Sequence, residues 1–240
     1  MVAINCDMGE AFSIYRCGDD EGLMPLITLA NVACGFHASD PVVMRRTVAL
    51  AQEHGVEVGA HPSLPDREGF GRREMKLDPE ELTASVLYQV GALSGFLRER
   101  GMPLSHVKPH GSLYGMAARD EQVAEAIADA AEVFDVPLMG MSGTVHEKVW
   151  GGRAAGFIAE YYADLDYRDD GSLIITRRHA AFDPETSAAG AVRAVTEGLA
   201  SSVNGVDIPV RADCVCVHSD TPNAVELARA VNEALRPYMS

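Results

Sequence analysis

Asn5, Asp7 and Glu10 follow the apolar run Val2-Ala3-Ile4, with Gly9 between the two acids. Alternate side chains of a strand share a face, so Asn5 and Asp7 point one way and Ile4 and Cys6 the other. Gly9 lets the chain turn and lifts Glu10 over the strand end. An amide and two carboxylates at the carboxyl end of a first strand stand where α/β proteins keep their chemistry. Alone, the group fits a capped strand end with solvated acids better than a site. Later apolar runs that also end in polar groups shift the balance towards a shared site.

Of eight histidines, His37, His61, His110 and His218 fall at expected strand carboxyl ends, whereas His54, His106, His146 and His179 do not. Lys108 and His110 are two apart and share a face. Glu160 ends a sixth apolar run, with Asp164 and Asp166 just beyond. A mouth of acids, imidazoles and one ammonium can hold a carboxylate substrate and move protons. A histidine beside a carboxylate is a usual general acid/base pair near neutral pH. Lys108 is a cation for an anion or oxyanion, or a base if its neighbours depress its pKa. Asp7, His37 and His61 could together hold zinc or a related divalent ion. They lack close helical spacing, so the composition favours three separate hydrogen-bonding residues and no metal ligand is assigned. Gly69-Phe70-Gly71-Arg72-Arg73 reads as a mobile loop presenting guanidinium to a carboxylate or phosphate, or as a plain surface turn.

Seven strand–loop–helix units must position these residues. The strands are expected near Val2–Asp7, Ile27–Cys34, Val56–His61, Ser105–Gly111, Val136–Met141, Gly156–Glu160 and Asp213–His218. Asp40-Pro41, Asp78-Pro79 and Asp183-Pro184 each place an N-cap before a proline, opening helices to His54, Arg100 and about Val203. Thr221-Pro222 opens the last helix, to about Leu235. Further helices are expected near Glu21–Leu26, at Asp120–Phe134 and from Ser142, and a hairpin over Tyr167–Arg178 turning at Asp169-Asp170-Gly171. The rhythm argues parallel strands with crossover helices. Polar groups end six of the seven, and only a closed barrel brings six strand ends to one mouth. The expectation is an α/β fold, a seven-stranded TIM-like β/α barrel filling residues 1–240 as a single domain.

Bulk properties exclude partners more than they name them. The 240 residues carry 35 acids against 20 bases, a formal charge of −15, which disfavours nucleic acid and anionic membranes. No apolar run spans a bilayer and no signal-peptide pattern leads the chain, so a cytoplasmic location is expected. Five cysteines at 6, 17, 34, 214 and 216 fit no zinc knuckle or redox pair, and Cys214 and Cys216 read as small buried strand residues. No phosphate-loop or dinucleotide fingerprint is present, nor a G-x-S-x-G elbow.

Several blocks, in order, resemble the LamB/YcsF family: Asn5-Cys6-Asp7-Met8-Gly9-Glu10, Ala30 to Pro41 around Cys34-Gly35-Phe36-His37, Gly59-Ala60-His61-Pro62, Asp66 with Gly69 to Arg73, and Val107 to Tyr114. Weaker blocks stand at Glu160–Asp164 and Cys216–Asp220. The resemblance covers nearly the whole chain. It implies a barrel of the glycoside hydrolase/deacetylase type. It also implies an ATP-binding hydrolase that opens 5-oxoproline (pyroglutamate), a lactam, to L-glutamate. ATP with Mg2+ would be handled through two other 5-oxoprolinase subunits. In that reading Asp7 or Glu10 with His37 or His61 activates water, while Lys108 and His110 stabilise negative charge. Asn5, Asn31, Arg72, Arg73, Glu160 and His218 bind substrate, with Arg72 or Arg73 on its carboxylate or on phosphate. Three positions depart from the family pattern: Leu165 where arginine is usual, Ser219 where glycine is usual, and Gly115 where asparagine often stands. The competing readings are a metal-dependent deacylase acting on another cyclic or N-acyl amide, and a non-catalytic binding subunit.

Overall fold

The structure is a computed structural model that describes residues 1–153, 155–175 and 180–239. Its strands are β1 (Ala3–Met8), β2 (Leu29–Ala33), β3 (Glu57–His61), β4 (Leu104–Val107), β5 (Leu138–Gly140), β6 (Phe157–Tyr162), β7 (Leu199–Ser201), β8 (Asp207–Pro209) and β9 (Cys214–Val217). The helices are α1 (Asp20–Leu23), α2 (Pro41–His54), α3 (Pro79–Glu99), α4 (Gly111–Ala117), α5 (Glu121–Glu132), α6 (Val145–Trp150), α7 (Pro184–Glu197) and α8 (Ala224–Leu235). Strands β1 to β6 and β9 close into a parallel barrel, with β9 pairing both β6 and β1. The expected seven-stranded barrel is therefore what forms.

Local chemistry sets the helix starts. Asp40, Asp78 and Asp183 each accept from backbone N–H groups of the first turn, with proline inside it. Outward strand residues such as Ile4, Met8, Val32, Val58 and Val215 are fully buried under the apolar faces of these helices. Val86, Val90 and Leu93 of α3 and Leu227 and Val231 of α8 supply such faces, spaced three or four apart.

Three elements differ from expectation. Helix α7 stops at Glu197, because Gly198 takes a left-handed conformation (φ 67°) that ends it. The residues up to Val203 instead begin the β7–β8 hairpin, which pairs Leu199–Ser201 with Asp207–Pro209 outside the barrel. Helix α8 starts at Ala224 rather than at Pro222, because the Thr221 hydroxyl donates to Asp164 Oδ2 (2.9 Å) instead of capping it. The short α4 directly after His110 was not expected; its buried Leu113, Tyr114 and Ala117 were its signal. The excursion after Tyr167 turns at the expected residues, with a bridge to Leu173. Its expected end through Arg178, and His179, lie outside the described residues.

Register carries the polar residues inward. Asp7 pairs with Asn31, and Asn31 with Gly59. A Cβ on Gly59 would lie 2.2 Å from Nε2 of His106, whose ring therefore crosses the barrel over this glycine. Gly59→Ala is expected to expel that ring and lose its 2.6 Å contact with Asn31 Oδ1. The overpacking should cost about 1–3 kcal/mol, read as a lower denaturation midpoint in urea.

Candidate active site at the barrel mouth

The lower layer of the interior is a buried polar network. Asn5 Oδ1 accepts from Asn31 Nδ2 (2.8 Å) and from Lys108 Nζ (3.2 Å). Lys108 Nζ also lies 3.2 Å from Asp7 Oδ1 and 3.1 Å from Glu160 Oε2, and donates to the Cys216 thiol. Glu160 Oε1 accepts from Tyr162 (2.7 Å). Asn5, Asn31, Lys108 and Glu160 thus hold one another inside the barrel. Burial works against the Lys108 ammonium, but Asp7, Cys216 and Glu160 outweigh it and raise its pKa well above the ordinary lysine value. Burial likewise works against the Asp7 carboxylate, but His61 and Lys108 hold its pKa well below the usual range.

Above this layer, loop residues meet strand ends. Gly9 has φ 69° and turns the chain so that Glu10 faces the interior, as expected. Glu10 Oε1 is 3.1 Å from His37 Nε2 and 3.5 Å from His110 Nδ1, and Oε2 accepts from Ser219 (3.2 Å). The His37 ring stacks on His110 with centroids 3.8 Å apart. His61 Nε2 is 3.0 Å from His110 Nδ1 and 3.2 Å from Asp7 Oδ2. Burial first, then neighbouring imidazoles, push the pKa values of His37 and His110 well down, and burial and then Asp7 push that of Glu10 well up. His218 behaves oppositely. Burial opposes its charge, but Asp164, bonded to Nδ1 at 2.8 Å, raises its pKa to about 9. Its Nε2 points towards Asp7 Oδ2 at 3.8 Å.

All four strand-end histidines therefore reach one mouth. Asp7, His61, Arg72, Lys108, His110 and His218 line a cavity of about 30 Å³ there. It adjoins a cleft of about 780 Å³, and Arg72, Tyr114, Leu173 and Ile175 border both. Of the three positions that depart from the family pattern, Leu165 lines the small cavity, Gly115 the large cleft, and Ser219 holds Glu10.

The Gly69–Arg73 loop is tied down over the site rather than left as a mobile arm. Asp66 accepts from the Gly69 and Arg73 backbone and pairs with the Arg73 guanidinium. Arg73 is thereby turned onto its own loop, away from the cavity. Arg72 faces the cavity and pairs with Asp220 across the mouth (2.8 Å). The Phe70 carbonyl accepts from His110 Nε2 (2.8 Å). The trio of Asp7, His37 and His61, weighed as a metal site but not assigned as one, is not the set that converges. Asp7 gives its second oxygen to Lys108 and Asn31, and Glu10 and His110 close on His37 and His61 instead.

Besides Ser219 on Glu10 and Asp220 on Arg72, four contributors went unassigned from sequence. Asp164 orients His218, Tyr162 holds Glu160, Cys216 touches Lys108, and His106 joins Asn31. His106 and Lys108 share strand parity, which was a usable signal. Asp164 left a weaker one, since its role depends on a contact with a residue 54 positions away.

Residues 2–238 match the LamB/YcsF family. The chain belongs to that family. A relative from Thermus thermophilus, named as a 5-oxoprolinase component, is 48% identical over 98% of this chain and 95% of its own length. "Lactam utilization protein lamB" from Emericella nidulans is 45% identical over 98% of this chain and 94% of its own. The crystal structure of a lactam utilization protein from Thermus thermophilus superposes with a TM-score of 0.91 at 46% identity, covering 99% of this chain and 96% of that one. The LamB/YcsF barrel is thus the fold observed here. No helix among its described residues is long and apolar enough to cross a membrane.

Proposed function

We propose that this chain is one of the three components of an ATP-dependent 5-oxoprolinase, and that its barrel mouth carries the ring-opening half of the reaction. The names of its relatives support the lactam class. The observation that carries the reading is the meeting of Asp7, His61, His110, His218, Lys108 and Arg72 around one cavity. A five-membered lactam is a resonance-stabilised amide, and its opening requires activation of the carbonyl. ATP with Mg2+, bound through two partner subunits, supplies that activation at the lactam oxygen. This division suits a chain whose sequence holds no phosphate-loop motif.

The residues of this chain then have separable tasks. The substrate ring occupies the larger cleft, since about 30 Å³ has room for about one water. Arg72 takes the substrate carboxylate. The water attacks the carbonyl carbon and yields its proton to Asp7. Lys108 faces the negative charge of the phosphoryl group on the activated carbonyl oxygen. His218, kept cationic by Asp164, gives a proton to the ring nitrogen as the C–N bond breaks, and a second water hydrolyses the acyl phosphate left behind to glutamate and phosphate.

Glutamate release from 5-oxoproline tests this directly. The chain is mixed with the two partner subunits and ATP, beside reactions lacking each component in turn. Release only in the full mixture is the expected result. Release by this chain alone, without ATP, would overturn it in favour of a deacylase.

A further inference from the structure

We infer that Glu10, His37, His61 and His110 form a binding site for one divalent transition-metal ion, zinc above others. Each offers one ligand atom, and the four atoms lie within 4.8 Å of one another. Three separations are shorter: 3.0 Å for His61 Nε2 to His110 Nδ1, 3.1 Å for His37 Nε2 to Glu10 Oε1, and 3.5 Å for His110 Nδ1 to Glu10 Oε1. Zinc bonds of about 2.0–2.1 Å in a tetrahedron put neighbouring ligand atoms about 3.3 Å apart. Half of the tetrahedron's edges are thus already near their final lengths.

The ring tautomers strengthen the case. His61 Nδ1 lies 2.7 Å from the Lys108 carbonyl, and His110 Nε2 lies 2.8 Å from the Phe70 carbonyl. A carbonyl only accepts, so both nitrogens carry hydrogen. His61 Nε2 and His110 Nδ1 are then the ring nitrogens left to offer lone pairs, and they face each other at 3.0 Å. Asp7 Oδ2 and Glu10 Oε1 flank them at 3.2 and 3.5 Å. Four electron pairs converge where no side chain of this set supplies a fixed donor, and a cation belongs there. A proton satisfies that space only in part; a divalent ion engages several pairs at once. The same carbonyls, with the Ser219 hydroxyl on Glu10 Oε2, aim the ligands from behind.

The donor set selects the ion. Three imidazoles with one carboxylate suit zinc, cobalt or ferrous iron, and lack the all-oxygen character that magnesium and calcium favour. The site is thereby distinct from any that holds Mg2+ with ATP, and it stands whether or not the ATP-coupled reaction does. His61 and His110 also line the small cavity, so the ion would border the space for one water beside Asp7.

The test uses the full chain, stripped with a chelator and titrated with Zn2+ by calorimetry and with Co2+ by visible absorption. One ion per chain is expected, with the intense ligand-field bands of low-coordinate cobalt. Glu10→Gln, which keeps its size and can still accept from Ser219, and His37→Ala should each weaken binding at least tenfold. His54→Ala, on the exposed end of α2, should not. Nitrogen-15 spectra of histidine-labelled wild type need no variant: one equivalent of Zn2+ should shift three imidazoles together. Absence of a stoichiometric ion, equal binding by the Glu10 and His37 variants, or imidazole signals unmoved by excess Zn2+ would each overturn the proposal.

Discussion

Replacing Lys108 with methionine should be the most destabilising single change in the barrel interior, at roughly 3–5 kcal/mol near neutral pH. That is a large share of the about 5–15 kcal/mol by which domains are stable. Methionine fills most of the volume, so the loss is electrostatic. Lys108 Nζ stands between Asp7 Oδ1 and Glu160 Oε2, and all three side chains are buried. Without it two carboxylates face a low-dielectric interior with one neutralising centre removed. The pH dependence follows from the shifts. Burial disfavours both charges, yet Lys108 is raised and Asp7 lowered by their mutual attraction. The Asp7 contribution is present above its unfolded pKa and lost as pH falls through the lower folded value. That of Lys108 is present below its unfolded pKa and lost as pH rises through the higher folded one. In Lys108→Met the deficit should therefore be largest at neutral pH and shrink on acidification, as the stranded carboxylates take up protons. Urea denaturation of wild type and variant at pH 7 and pH 5 measures it. Adding Glu160→Gln to Lys108→Met should recover part of the loss, and a flat deficit across pH would contradict the electrostatic account.

How much of this was legible in the sequence depends on which link of the chain a residue occupies. Strand parity alone places Asn5 and Asp7 together, and Lys108 with His110, because alternation along a strand is fixed by the backbone. The Asp-Pro starts of α2, α3 and α7 are equally local. Convergence of His37, His61, His110 and His218 followed once the β/α rhythm pointed to closure. What escaped depends on loop paths and on long-range contacts. Glu10 and His37 reach the cluster from loops, and nothing in their spacing says that they meet there in place of Asp7. Arg72 and Arg73 are adjacent and chemically alike, yet Asp66 captures one while Asp220, far away in sequence, meets the other. Thr221 read as a helix cap because that role is local; its hydroxyl is spent on Asp164 across the barrel mouth. Gly198 shows the converse. A left-handed glycine stops α7, but glycine is also tolerated inside helices, as Gly190 is within α7 itself.

Asp7→Asn should lower kcat of the reconstituted reaction by about 10²–10⁴-fold while leaving the fold in place. The amide is isosteric, and each of its atoms finds a partner. Its oxygen can accept from Asn31 and Lys108, as Oδ1 of Asp7 does now. In the metal-free chain its NH2 can donate to His61 Nε2, because His61 Nδ1 donates to the Lys108 carbonyl. Lys108 keeps Glu160 as a charged partner. The loss in stability should therefore be much smaller than for Lys108→Met, where a charge disappears with no compensating group. The loss in activity is different in kind, because an amide cannot take a proton from the attacking water. Substrate affinity should change little, since Arg72 rather than Asp7 is assigned the substrate carboxylate. KM should therefore hold while kcat falls, the pattern of an interaction made in the transition state. Arg72→Lys gives the complementary signature, a raised KM with a smaller change in kcat, because an ammonium keeps the charge but loses the two-pronged geometry. Full turnover by Asp7→Asn would remove Asp7 from the proton path and move that role to Glu10 with His37.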